Sequence, residues 1–137
     1  MRNIGQRFEQ FIFDLFKSFE LDGKLISQPT DRGVDIEINK NSSKYGIEVK
    51  TYRSRRIPIS TFKTSLIQLQ YNLQNNNYKG GFLVLTANIE PTIREELKNE
   101  FKIEIFDRGI LISLTSGNEE LRKELEAILL ELSQSGL

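Results

Sequence analysis

Three charged residues on two neighbouring segments have the types and spacing needed for metal-assisted chemistry. Val34, Ile36 and Ile38 alternate with Asp35 and Glu37, and Ile47 and Val49 alternate with Glu48 and Lys50. A period of two marks a strand with one face in a core and the other away from it. Glu48 and Lys50 then project from one face of their strand, and Asp35 from the non-core face of its own. If the two strands pair with their apolar faces inward, Asp35, Glu48 and Lys50 converge on one side of the sheet. Paired carboxylates are hard oxygen ligands suited to a divalent cation, and a lysine beside them can act on a water or on developing negative charge. The same spacing also fits a solvated strand face. The stretch Thr30 to Arg56, two strands joined by a polar turn and followed by a basic loop, is the part the rest of the chain must position.

Composition narrows the chemistry. The chain has 137 residues with no histidine and no cysteine. That excludes a histidine general base, zinc held by histidine or thiolate, and a disulfide framework. A catalytic metal would be a hard ion on oxygens, Mg2+ first, with Mn2+ as its substitute. Basic and acidic residues number 19 each, so a nucleic-acid footprint must be local. The local cluster is Arg53, Arg55 and Arg56, with Lys63 beyond them; it reads as a phosphate track or as a solvated loop. The length suits one domain with one core, so residues 1–137 are expected to form one domain. No apolar run approaches the roughly 18 residues of a membrane span, and the N-terminus lacks a signal-peptide pattern. The expectation is a soluble cytoplasmic protein with no membrane partner.

The positioning elements follow from periodicity. Residues 4–20 are predicted as a helix, with Phe8, Phe11, Ile12, Leu15, Phe16 and Phe19 on one face. Glu9 falls inside that apolar arc, between Phe13 and Phe16. A carboxylate there needs a cation or donors, unless it snorkels at the edge of the stripe. A first strand is predicted at Lys24–Ser27, a turn-prone loop at Pro29–Gly33, and strands at 34–38 and 45–50 linked by Asn39–Lys44. A loop spans 51–58. Ser60 is the expected N-cap of a helix at 61–74 with Phe62, Leu66, Leu69 and Leu73 on one face. Phe82–Thr86 is a continuous apolar run, as in a strand buried on both faces. A short helix is predicted at Thr92–Glu100 after Pro91, and a strand at Lys102–Phe106, with Glu104 and Asp107 as ordinary strand-face and strand-end charges. Arg108–Leu114 has a strand's composition but can form a short helix. Residues 118–132 form a last helix on Leu121, Leu125, Ile128, Leu129 and Leu132. An antiparallel hairpin followed by strand–helix–strand units predicts a mixed sheet with helices on both faces.

Arg32-Gly33-Val34-Asp35, then Ile47-Glu48-Val49-Lys50, with Glu9 in GQRFEQFI ahead of both, resembles the PD-(D/E)xK nuclease superfamily and its Mrr-type restriction endonuclease branch. The resemblance runs over roughly residues 5 to 107. Val34 stands where the superfamily motif has proline, and Arg32 where Mrr-type proteins often have glycine. The resemblance implies an α/β fold of the restriction-endonuclease-like type: three layers, α/β/α, with an αβββαβαβ core. It implies a catalytic set of Asp35, Glu48, Lys50 and Glu9, and metal ligation by Asp35, Glu48, Glu9 and the backbone oxygen of Val49. Some relatives carry a glutamine–tyrosine pattern on the helix after the lysine, which Gln68 and Tyr71 match weakly, making Gln68 a supporting residue. The implied activity is Mg2+-dependent cleavage of DNA in restriction, defence or repair, with the strand held by Arg53, Arg55, Arg56 and Lys63. Archaeal Holliday junction resolvases look similar over the same segments and give the second expectation. A nucleic-acid-binding or docking domain without catalysis is the third, and the presence of all four catalytic positions argues against it. No separate recognition domain is visible. Target choice would then come from DNA structure, from the symmetry of a homodimer, or from a partner protein.

Overall fold

Helix α1 (Ile4–Ser18) starts where the chain first supplies a cap. The Asn3 side chain accepts the Gln6 N–H and the Gln6 side chain accepts the Asn3 N–H, a reciprocal capping box. Phe8, Phe11, Ile12, Leu15 and Phe16 form its buried face. The helix stops at Ser18, and Glu20 takes a left-handed backbone (φ 61°). Phe19, expected on the apolar stripe, caps the helix end and is 48 % exposed.

The computed structural model describes residues 3–25 and 33–134. After α1 come β1 (Asp22–Leu25), β2 (Ile36–Lys40), β3 (Ser43–Lys50), α2 (Ile59–Asn75), β4 (Gly80–Leu85), α3 (Pro91–Phe101), β5 (Glu104–Phe106), α4 (Arg108–Leu114) and α5 (Glu119–Gln134). The first strand thus begins ahead of the predicted Lys24. Residues 26–32, which include Ser27, Pro29 and the Arg32 of the motif, lie outside the described residues.

The strands form one sheet in the order β1-β2-β3-β4-β5, antiparallel from β1 to β3 and parallel from β3 to β5. The antiparallel half needs only tight connections. Asn41 and Ser42 join β2 to β3 with φ of 52° and 67°, the geometry of a two-residue hairpin turn whose twist suits the strands. The parallel half needs crossovers, and α2 and α3 supply them. Ile36, Ile38, Ile47 and Val84 pack against α1, α4 and α5; Leu83 and Leu85 pack against α2 and α3. Helices therefore cover both faces of a mixed sheet, which is the expected three-layer α/β restriction-endonuclease-like arrangement.

Close packing of α2 depends on two glycines. Gly46 and Gly81 are cross-strand partners, and Leu73 of α2 sits over them. A Cβ on Gly81 would lie 2.5 Å from Leu73 Cδ1 and 2.9 Å from the Gly46 carbonyl oxygen. Removing the side chains at this pair lets the helix approach the sheet on the face that carries Glu48.

Four details differ from the sequence reading. Val34 does not share a face with Ile36 and Ile38: it lies in the α2–α3 core, because β2 begins only at Ile36 and the chain bends at Asp35. The face taken as lying away from the core is covered by α2, so Asp35 and Glu37 are both buried. Glu37 is satisfied there by the Tyr78 hydroxyl at 2.9 Å. Helix α2 begins at Ile59 on an extended Pro58 (φ −60°, ψ 145°) with no side-chain cap, so Ser60 is inside the helix. Arg108–Leu114, left open between strand and helix by its composition, is a helix, since the Asp107 side chain caps it by accepting the Ile110 N–H at 3.0 Å. That makes Asp107 a buried cap, not an ordinary strand-end charge, whereas Glu104 is a surface group paired with Lys98 at 3.3 Å. Among the described residues no helix is long and apolar enough to cross a membrane.

Candidate active site

The strand register brings Asp35 to Glu48. Ile36 pairs with Ile47, so one further step would set Asp35 opposite Glu48. Regular pairing stops there. The Asp35 N–H donates to the Ile47 carbonyl at 2.9 Å, and Asp35 Oδ2 accepts the Val49 N–H at 2.7 Å. A side-chain oxygen thus takes over where the backbone ladder ends. The N–H and C=O of one strand residue point to the same side, so the Val49 carbonyl faces the same edge as Asp35. Glu48 and Lys50 neighbour Leu83 and Leu85 on β4, which puts both on the α2 face of the sheet. Gly33, just ahead of Asp35, is left-handed (φ 68°), and its carbonyl accepts the Asn72 side-chain N–H at 3.2 Å. That bond ties the approach to Asp35 onto α2.

Electrostatics at this end of the sheet are dominated by crowded carboxyl groups. Glu48 is raised to about 8, first by burial, then by its hydrogen bond to Asp35 and the Asp35 charge; Lys50 opposes this and Glu9 adds to it. In its protonated form Glu48 donates to Asp35. Glu9, partly buried on α1, is raised to about 7 by burial and by the Asp35 charge. A cation held beside Asp35 would offset the negative charge that helps to raise Glu48 and Glu9. The donor set is all oxygen and suits Mg2+ or Mn2+. Among the described residues no three carboxylates stand close enough together to hold one ion as a set. The compact part is the Asp35–Glu48 pair, with Glu9 within electrostatic reach of both.

The basic loop runs from this point along the ends of the parallel strands. The Thr86 N–H donates to the Lys50 carbonyl at 3.3 Å. Buried Thr86 Oγ1 accepts the Tyr52 N–H at 2.7 Å and donates to the Tyr52 carbonyl at 2.8 Å. The Asn88 N–H donates to the Arg55 carbonyl at 2.7 Å. Arg53, Arg55 and Arg56 are exposed on this pinned loop, and Lys63 is exposed early in α2. Gln68 is exposed on α2, off its buried face of Phe62, Leu66, Leu69 and Leu73, and Tyr71 is 62 % exposed. A cleft of about 690 Å³ lies farther along the same edge, lined in part by Arg56, Phe62, Asn88, Arg94, Asp107 and Gly109.

Sequence reasoning missed Thr86, Asn72, Asp107 and Arg108. Thr86 closes an apolar run and carries no signal of its own. Asn72 becomes relevant only through packing of α2 on the Gly33 turn. Asp107 accepts the Ile89 N–H at 3.1 Å and pairs with Arg94 at 3.2 Å, and the Arg108 side chain donates to the Thr86 carbonyl at 2.7 Å. An Asp-Arg step before a segment of open type was the only hint.

The model of the restriction endonuclease family, built on the Mrr catalytic domain, matches residues 2–115. A search of the curated proteins finds no match. The matched region runs from α1 through α4 and contains Glu9, Asp35, Glu48, Lys50 and the arginine loop; α5 follows it and packs on α1 through Leu125, Ile128 and Leu132. With the family model covering most of its length and the expected α/β sheet in place, the chain belongs to the Mrr-type restriction endonuclease family.

Proposed function

We propose that this protein is a divalent-metal-dependent endonuclease that hydrolyses phosphodiester bonds of DNA, with its centre at Asp35, Glu48 and Lys50. The observation that carries the reading is the Asp35–Glu48 carboxyl pair at the open end of the β2–β3 ladder, with Lys50 two residues on and the arginine loop continuing from it. Asp35, Glu48 and the Val49 carbonyl would hold Mg2+. The bound ion would stabilise charge on the phosphate oxygens and help generate the attacking hydroxide. Glu9 would set the position of the ion from α1, as an outer-shell or direct ligand. Lys50 hydrogen-bonds the developing charge at the scissile phosphate. Arg53, Arg55, Arg56 and Lys63 neutralise flanking phosphates and fix the strand's path. One chain carries one such centre and cuts one strand at a time, so double-strand cleavage would favour a homodimer.

The test is incubation of the purified chain with supercoiled plasmid, a four-way junction and RNA, each with Mg2+, Mn2+ or EDTA. Nicked plasmid with either metal, none with EDTA, and none from Glu48→Gln is the expected result. Preference for the junction would assign a resolvase role. Absence of cleavage with both metals on every substrate would overturn the reading.

A further inference from the structure

Arg108 is the buried cation among the described residues, 8 % exposed at the start of α4. Its Nε donates to the Thr86 carbonyl at 2.7 Å. Among the described residues no carboxylate lies within ion-pair distance of it, and the adjacent Asp107 is taken by Arg94. Burying a cation without an anion is costly. No side-chain nitrogen among the described residues is both sealed from solvent and unbonded, so the remaining N–H groups of Arg108 reach the surface. The side chain is thus buried at its Nε, against the Thr86 carbonyl, and meets solvent at its remaining nitrogens.

A second guanidinium is brought to the same place. The Asn88 N–H holds the Arg55 carbonyl at 2.7 Å, and the Ala87 carbonyl accepts the Arg108 N–H at 3.0 Å. Both arginines are therefore tied to the 86–88 segment that leaves β4. Arg108 is lowered first by burial and then by the charge of Arg55, as expected of two cations held to one short segment. A planar fork with free donors beside a second arginine matches the oxygens of a phosphate. Thr86 connects the pair to the proposed centre, through its N–H to Lys50 and its carbonyl to Arg108. The cleft lined by Arg56, Asn88 and Gly109 opens alongside and gives room for the nucleoside attached to that phosphate.

We propose that Arg108 and Arg55 form a second phosphate-binding position, which holds a backbone phosphate of the nucleic-acid strand one step along the sheet edge from the phosphate cut beside Lys50. This rests on the nuclease reading above for its choice of ligand. The position is a substrate-binding subsite that sets the path of the strand.

The experiment uses the full chain in EDTA, as the parent, Arg55→Gln and Arg108→Lys. Arg55 is exposed, so Arg55→Gln carries the test if Arg108→Lys fails to fold. Melting is measured with inorganic phosphate against chloride at equal ionic strength, and oligonucleotide binding is measured from low to high salt. Phosphate is expected to raise the parent's melting temperature and to have a smaller effect in each variant. The log–log salt slope for DNA is expected to fall by about 0.9 in Arg55→Gln for a duplex, or about 0.7 for a single strand, whereas Arg108→Lys, which keeps its charge and loses the fork, is expected to weaken binding with little change of slope. Phosphate protection that is the same in parent and variants overturns the subsite. Protection lost in Arg55→Gln with an unchanged DNA slope shows a free-phosphate site and overturns the strand path. A parent that binds phosphate through these arginines yet neither binds nor cuts nucleic acid overturns the nuclease reading and, with it, this choice of ligand.

Discussion

Glu48→Gln should make the metal-free protein less sensitive to pH and more stable at pH 8. Glu48 moves from 4.5 to about 8 in the folded chain, chiefly by burial and by its contact with Asp35. A raised carboxyl favours the protonated form in the native state. Its contribution is fully present below 4.5, is lost as pH rises from there to about 8, and stays lost above. A shift of that size corresponds to about 5 kcal/mol at 1.36 kcal/mol per unit. Glu48 keeps part of its surface in water, and solvent screening brings the expected effect to about 2–3 kcal/mol. For a domain of this length that is about 8 °C in melting temperature. Glutamine has similar shape, cannot ionise, and its amide can donate to Asp35. The assay is thermal unfolding in EDTA from pH 5 to pH 8.5 for both proteins, with the difference between them isolating this group. Parallel pH profiles, or a mutant less stable than the parent at pH 8, would refute the reasoning.

Glu9→Gln should show the same sign with a smaller amplitude over pH 4.5 to about 7, together with weaker Mn2+ binding and slower cleavage; a variant that titrates and cuts like its parent would leave Glu9 as an edge residue of α1. Replacing Arg53, Arg55 and Arg56 together should weaken DNA binding and flatten its salt dependence by up to about three units, close to one per lost phosphate contact; an unchanged slope would make the cluster a solvated loop. Gly81→Ala should cost about 1–3 kcal/mol by overpacking, because its Cβ would meet the Gly46 carbonyl at 2.9 Å as well as Leu73; an unfolding free energy equal to the parent's would show that α2 can move off the sheet freely.

The meeting of Asp35 and Glu48 was legible because strand alternation and hairpin pairing are local rules. Which face they occupy was not. Alternation of Glu37, Glu48 and Lys50 with apolar residues reads as a solvated face, yet α2 covers it, and Tyr78, distant in sequence, supplies the partner that lets Glu37 be buried. Val34 follows the alternation in sequence but enters the other core, since a bend at Asp35 breaks the period. Helix α4 depended on Asp107 as cap, a role that a strand-like composition of Gly109–Leu114 concealed. The arginine loop was visible as a charge cluster. Its anchoring to Thr86 and Asn88 was not, because those bonds join segments more than thirty residues apart.

Mg2+-dependent nicking of supercoiled plasmid by the parent and by Lys50→Ala, at equal concentrations and with equal melting temperatures, tests the assignment of the centre most directly. Lys50 is only partly buried beside Leu85, so the variant should fold normally. The expected result is cleavage by the parent and none detectable by Lys50→Ala. Nicking at the parent's rate would contradict the assignment of chemistry to Asp35, Glu48 and Lys50.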